Sequence, residues 1–353
     1  MAVIQDLPPE LLIRILELSI DPRPYASSGR ETRKTLIRTA LVARCWRAPS
    51  QSLLSSLLHL DSMNPRWVRY NDVLSKSNEQ HLRRMKRLEL VVGRQDTSES
   101  ALADQLAILK QKGVVLQELS FVSVSLRGTF RVPNGSLGWL VQGVRLLKLD
   151  TSIQIDADFP LPTTLLLDTL QISSRLPELP SFLFPFPTVA PRLTRLELDC
   201  STGPFSPALN ASLHELAPQI TDLRIRLAPN SYGRPDDTVS SLDSFLRACT
   251  SVTTLRIENP APPHLKHILS FLSHRLALLE ISDLRTEGEL KDPMPNDLAE
   301  ALDLPCMAQL RRWRMAHSPY SRFSLSERAE EEWRAACRAR GIEPRGAERF
   351  FTD

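Results

Sequence analysis

No apolar run approaches the roughly 18 to 20 residues that a membrane-spanning helix needs, so the chain reads as soluble. Its start, Met1-Ala2-Val3-Ile4-Gln5-Asp6-Leu7-Pro8, lacks both a basic leading segment and an apolar one behind it. No secretory signal or transit peptide is therefore expected, and the expected compartment is the cytoplasm or the nucleus. The five cysteines, Cys45, Cys200, Cys249, Cys306 and Cys337, are odd in number and scattered, with no C-x-x-C pair. Reduced structural thiols are expected rather than disulfides or a zinc site. Without secretion, the sequons at Asn134 and Asn210 are chance matches. A strong charge of one sign is also missing. The net charge of +3 is too mild to imply nucleic-acid binding, although Arg23, Arg30, Arg33, Lys34, Arg38, Arg44 and Arg47 outnumber Asp21 and Glu31 locally.

Catalytic signatures are missing as well. The chain has no G-x-G-x-x-G, no G-x-x-x-x-G-K-[ST], no G-x-S-x-G and no H-E-x-x-H, so no active site, cofactor or metal is expected. His264 and His267 share a helix face at i,i+3 spacing, but with no adjacent carboxylate or third ligand they read as a surface pair. Asp236 and Asp237 lie in a polar loop and read as solvated turn residues. Cys45, on the apolar side of a helix between Arg44 and Arg47, reads as packing rather than as a reactive thiolate.

What the chain does have is a repeat. Leu193, Leu196 and Leu198 follow the spacing Φ-x-x-Φ-x-Φ. The same spacing returns at Met85/Leu88/Leu90, Leu116/Leu119/Phe121, Val144/Leu147/Leu149, Leu167/Leu170/Ile172, Ile220/Leu223/Ile225, Val252/Leu255/Ile257, Leu276/Leu279/Ile281 and Leu310/Trp313/Met315. Steps between the middle residues run from 23 to 34, bracketing the roughly 20 to 29 of leucine-rich repeats and predicting a solenoid. Between the predicted strands, helices are expected over 98–112, 207–216, 238–249, 263–273 and 296–308, each with leucines three or four apart. The proline-rich crossovers 150–163 and 172–192 are expected to be irregular. The asparagine or cysteine of the repeat consensus, three residues past the third apolar position, is absent from all nine copies, so the repeats are degenerate. Ser324-x-x-Glu327 has capping-box spacing, and Leu325, Ala329, Trp333, Ala336 and Cys337 follow on one helical face, predicting a terminal cap that Gly341 and Pro344 stop.

Ahead of the repeats, Asp6 reads as the cap of a helix carrying Leu11, Leu12, Ile15 and Leu16. A loop is expected over 21–32, a second helix over 35–47, and a third over 50–60 with Leu53, Leu54, Leu57, Leu58 and Leu60. Trp67, Tyr70, Val73 and Leu74 read as packing between these helices and the first strand. Three short helices bury too little to stand alone, so they need the first repeat or another protein against them.

The order Leu7-Pro8-x-Glu10-Leu11-Leu12-x-x-Ile15-Leu16, then Leu41-Val42-Ala43-Arg44-Cys45-Trp46, resembles the F-box, whose pattern is roughly L-P-x-E-L-L-x-x-I-L followed by L-V-C-[RK]-x-W. Ala43 departs from its usual cysteine, and the stretch 21–34 is longer than in compact members. Followed by leucine-rich repeats, the box is similar to the fungal-type F-box/leucine-rich-repeat class. That resemblance implies an α/β fold of four segments: a three-helix F-box over 1–60, a connecting segment over 61–84, a leucine-rich-repeat solenoid over 85–323 with a curved parallel sheet, and a capping helix and tail over 324–353. It also implies a non-enzymatic substrate receptor of a Skp-cullin-F-box ubiquitin ligase, in which Leu7, Pro8, Leu11, Ile15, Leu16, Leu41, Val42 and Trp46 bind a Skp-type adaptor and, through it, a cullin. A scaffold without ligase function is the alternative, with nucleic-acid binding through residues 23–47 a third.

In a strand of this pattern the residues between the apolar ones point out of the sheet. Outward positions include Arg195 on the fifth strand of the pattern and Arg224, Arg226, Arg256, Arg312 and Arg314 on the last four, the candidates for binding a substrate. They read either as a basic patch for an acidic or phosphorylated peptide or as a solvated face of mixed charge.

Overall fold

A computed structural model describes residues 7–19, 28–42, 44–61, 74, 76–77, 79–92, 99–123, 129–131, 137–150, 152–154, 163–228, 239–272, 275–284, 295–316 and 325–346. The chain divides into two compact units, Met1–Leu167 and Asp168–Asp353. Among the described residues no helix is long and apolar enough to cross a membrane.

In the first unit, α1 (Pro9–Ser19), α2 (Ser28–Val42) and α3 (Arg44–Ser56) lead directly into β1 (Leu57–Asp61). The second helix thus begins inside the stretch expected to be a loop. The expected third helix is instead the end of α3, which keeps Pro49 in its interior, followed by a strand. The misreading has a physical source: Leu53, Leu54, Leu57 and Leu58 fit helical spacing, whereas Leu58 and Leu60 fit the strand period of two. After Leu74, which is buried, come α4 (Glu79–Leu82), β2 (Arg87–Val92), α5 (Glu99–Gln111), β3 (Glu118–Ser123), β4 (Thr129–Arg131), α6 (Leu137–Val141), β5 (Leu146–Leu149) and β6 (Ser152–Gln154). β1, β2, β3 and β5 pair in parallel in that order, and β4 pairs with β6 apart from them.

The second unit alternates β7 (Thr169–Ser173), α7 (Phe186–Val189), β8 (Arg195–Cys200), α8 (Pro207–Leu216), β9 (Asp222–Leu227), α9 (Asp243–Ala248), β10 (Thr254–Glu258), α10 (Pro262–Ser270), β11 (Leu278–Ser282), α11 (Asn296–Leu302), β12 (Arg312–Ala316), α12 (Glu327–Ala339) and β13 (Glu343–Arg345). Its seven strands pair in parallel in chain order.

All nine apolar triads occupy a strand and the turn before it, because the spacing suits that geometry. The second and third members alternate with outward residues and stack in register, as in Leu196, Leu223, Leu255, Leu279 and Trp313, all fully buried. The first member lies at a corner where one carbonyl takes two amides. Thr194 O accepts from Thr221 N and Asp222 N, and Thr221 O from Thr253 N and Thr254 N. Each buried leucine contributes about 1.5 to 3 kcal/mol. Leu209, Leu213 and Leu216 of α8, and Leu265, Ile268 and Leu269 of α10, supply the helical half of this core. Pro207 and Pro262 open these two helices, where a missing N–H costs nothing.

Three expectations change at the turns and at the end of the chain. The crossover 172–192 holds a short 3-10 turn and the four-residue α7. The consensus asparagine does occur once, one position earlier than expected. Asn259 has a φ of 56°, donates its backbone N–H to Ser282 O at 2.8 Å, and donates from Nδ2 to Leu227 O at 3.2 Å. The cap of α12 is Ser326, whose Oγ accepts from Ala329 N at 3.1 Å; Ser324 lies outside the described residues. Beyond α12, Gly341 has a φ of 72° and stops the helix as expected, and Glu343–Arg345 then pairs with β12.

Candidate functional site

Two surfaces carry the residues that the sequence singles out, one in each unit. In the first, Leu12, Leu16, Leu36, Trp46 and Leu53 form the core joining the three N-terminal helices, with Leu7, Ile13, Ile15, Cys45 and Leu54 packed around them. Leu16 and Trp46, expected to bind an adaptor, are therefore interior and act by holding α1 against α3. Leu7 and Ile15 are half-buried. Pro8 is exposed, and its carbonyl accepts from Leu11 N and Leu12 N, which starts α1. Val42 ends α2, and its side chain lies outside the described residues. Among the described side chains of these helices, the outward large apolar groups are Leu11 at 51% exposure, Ile37 at 45% and Leu41 at 76%. Ile37 and Leu41, four residues apart, share one face of α2. Ile37 is the member of this set that the family pattern did not mark, although its helical spacing from Leu41 was available.

In the second unit, register sorts the outward residues into rows across the sheet. One row reads Arg195, Asp222, Thr254, Leu278, Arg312, Glu343. The next reads Gln171, Glu197, Arg224, Arg256, Glu280, Arg314, Arg345. The third reads Ser173, Asp199, Arg226, Glu258, Ser282, Ala316.

These rows are laced with ion pairs between neighbouring strands. Arg195 reaches Asp222 at 2.8 Å. Arg224 lies 3.6 Å from Glu197 and donates its Nε to Glu258 at 2.7 Å. Arg226 bonds Glu258 and lies 3.9 Å from Asp199. Arg256 sits 3.4 Å from both Asp222 and Glu280. Arg312 bonds Glu343 at 3.0 Å. Burial works to raise the Glu258 pKa, but the hydrogen bond from Arg226 and the charges of Arg224 and Arg226 outweigh it and hold the carboxyl below its ordinary value. Of the six outward arginines that the sequence singles out, five are thus compensated by carboxylates about 25 to 35 residues away in sequence. Charge summed along a chain cannot foresee this, because register decides which side chains meet.

No family model matches this chain, and no curated protein does. A crystal structure of a protein from Bacteroides fragilis is similar at 13% identity, over 79% of this chain and 69% of that one. Its TM-score is 0.38, and the likeness carries no argument about function.

His267 Nε2 lies 2.8 Å from Asp243 Oδ1, so a carboxylate does stand beside it, brought from α9 to α10. Its ring meets Phe271 edge to face, and the Arg247 guanidinium sits 4.5 Å from the same phenyl ring. Among the described residues no three histidines, cysteines or carboxylates gather as a metal would require. Cys200, Cys249, Cys306 and Cys337 are free and buried, and Cys45 is half-buried. Asp236 and Asp237, like Trp67, Tyr70 and Val73, lie outside the described residues.

Proposed function

We propose that this chain is the substrate receptor of a Skp-cullin-F-box type ubiquitin ligase, a non-enzymatic subunit that binds a Skp-type adaptor through α1 and α2 and a protein target through the outward face of its parallel sheet. The observation that carries the reading is Leu41. A leucine three-quarters exposed, with Ile37 beside it on the same face of α2, sits on a helical cluster whose core is filled by Leu12, Leu16, Leu36 and Leu53. Large apolar side chains grouped on one helix face mark a surface that another helix or groove covers. The F-box resemblance assigns Leu41 and Leu11 to the adaptor, and both are exposed.

The test is co-purification with a Skp-type adaptor. Leu41→Asp and Ile37→Asp, changes at exposed positions, are expected to abolish adaptor binding while leaving the thermal midpoint within a few degrees of wild type. Undiminished binding by both variants overturns the adaptor assignment. Cullin is measured in the same complex: its presence supports the ligase role, and an adaptor complex that never recruits it overturns that part.

A further inference from the structure

Lysine and arginine are used very unequally along this chain. Of its 44 lysines and arginines, 8 are lysine and 36 arginine, and no lysine stands between Lys148 and Lys266 or after Lys291. The second unit holds 20 of the arginines, but of the lysines only Lys266 and Lys291. The three outward rows of its sheet carry arginine at seven positions and lysine at none.

Ion pairing accounts for part of this preference. Arg224 and Arg226 converge on Glu258, and Arg224 also lies beside Glu197, an arrangement that a planar fork serves better than a point charge. It does not account for Arg195 and Arg312. Arg195 is 46% exposed where it meets Asp222, and Arg312 is 43% exposed where it meets Glu343. Pairs this exposed stabilise a fold little, and a lysine would serve there. The repeat pattern itself admits one: Lys148 holds an outward position of β5 in the first unit and reaches Glu118 at 2.9 Å.

The two cations differ in what they can be converted to. A lysine ammonium loses its proton readily enough to act as an amine nucleophile and is the acceptor of ubiquitin, whereas a guanidinium stays protonated throughout the physiological range. In that transfer the amine nitrogen attacks the thioester carbonyl joining ubiquitin to its conjugating enzyme. An N–C bond forms, the C–S bond breaks, and the enzyme's sulfur leaves and takes up the proton that the nitrogen gives up. Lys266 is poorly placed for this attack. It lies on α10 and not on the sheet, donates to Glu300 and sits 3.5 Å from Asp297. The hydrogen bond to Glu300, with the charges of both carboxylates, raises its pKa and keeps it an ammonium. Lys291 lies outside the described residues.

We infer that the outward face of the second unit is kept free of lysine so that ubiquitin passes to a bound target and not to the face that holds it. The inference rests on the proposed receptor role, which brings the ubiquitin thioester to this chain.

The full chain is assembled with a Skp-type adaptor and an active cullin core, and ubiquitin-charged conjugating enzyme is added with no target present. Discharge of the thioester onto free lysine shows that the complex is active. Arg195→Lys and Arg312→Lys are then compared with the unaltered chain, and mass spectrometry identifies each conjugated position. The introduced lysines are expected to be conjugated about tenfold faster than Lys266. Both changes keep the charge at an exposed position, so the thermal midpoint should stay within a few degrees of the unaltered chain. Conjugation at position 195 or 312 supports the inference. An active complex in which neither introduced lysine is conjugated overturns it and leaves the receptor role standing. Failure to assemble with the adaptor and cullin, read in the first step, overturns that role and the inference with it.

Discussion

Arg226 on β9 and Glu258 on β10 are register partners whose side chains bond directly, and the same carboxylate also takes Arg224. Two guanidiniums on one half-buried carboxylate make Glu258 the centre of the outward face. Replacing it leaves both arginines short of a partner at once. Glu258→Gln is expected to cost on the order of 1 to 3 kcal/mol in urea denaturation. The pH dependence has a definite sign. A carboxyl held below its ordinary value of 4.5 stabilises the fold above that value, and the contribution is lost as pH falls through the lower folded value. The gap between wild type and Glu258→Gln should therefore close on acidification below about pH 4.5. A gap that stays constant into strong acid would show that Glu258 carries no linked charge.

Asn259 holds a left-handed backbone position while its side chain bonds Leu227 O on the neighbouring turn. Two costs can be separated by substitution. Asn259→Ala loses the bond and keeps a Cβ where φ is positive, and about 1 to 3 kcal/mol is expected. Asn259→Gly loses the bond and relieves the backbone, so it should be the milder change. The reverse order would place the residue's value in something other than its dihedral.

Two of the strands that escaped the repeat pattern, β1 and β13, show where sequence stops being sufficient. Nine triads became strands because every copy solves the same problem, three apolar side chains on one side of a turn and strand, and apolar spacing records that solution directly. β1 carries only Leu58 and Leu60 inward, and its leucines extend a helical pattern already running from Leu53. β13, Glu343-Pro344-Arg345, has almost nothing apolar, and its place comes from Glu343 N bonding Arg311 O and from α12 packed beside it. On the site, the identities of the outward arginines were legible, whereas their compensation was not. Arg224 and Glu258 are 34 residues apart, and only parallel register brings them together. The same reasoning separates Leu41 from Leu16: both fit the family pattern, but only packing shows that one is outside and the other inside.

Trp313 on β12 and Trp333 on α12 meet edge to face, with ring centroids 5.9 Å apart at 84°, and neither is exposed. This contact ties the capping helix to the strand it covers. Trp333→Ala is expected to cost about 3 to 5 kcal/mol, from lost burial and a cavity that the rigid strand cannot fill. Trp333→Phe keeps an aromatic edge and should cost less. Near-ultraviolet circular dichroism would report the loss of the pair, and an unchanged midpoint in Trp333→Ala would mean that the cap does not contribute to the stability of the sheet.

The thiols give a test of the whole packing scheme. Burial raises Cys200 and Cys249 well above ordinary thiol values and pushes Cys306 and Cys337 up to about 12. All four are shielded by the core they help to fill, and the nucleophilic species is the thiolate. At pH 8 the native chain should react with an aromatic disulfide reagent at Cys45 first, the one cysteine of the five that is not buried. The other four should react at the rate of unfolding, and all five promptly in guanidinium. Cys45→Ser should then leave the native chain nearly inert. Rapid labelling of Cys249 or Cys337 in the folded protein would mean that the helices open away from the sheet, and that the repeats do not hold as one packed layer.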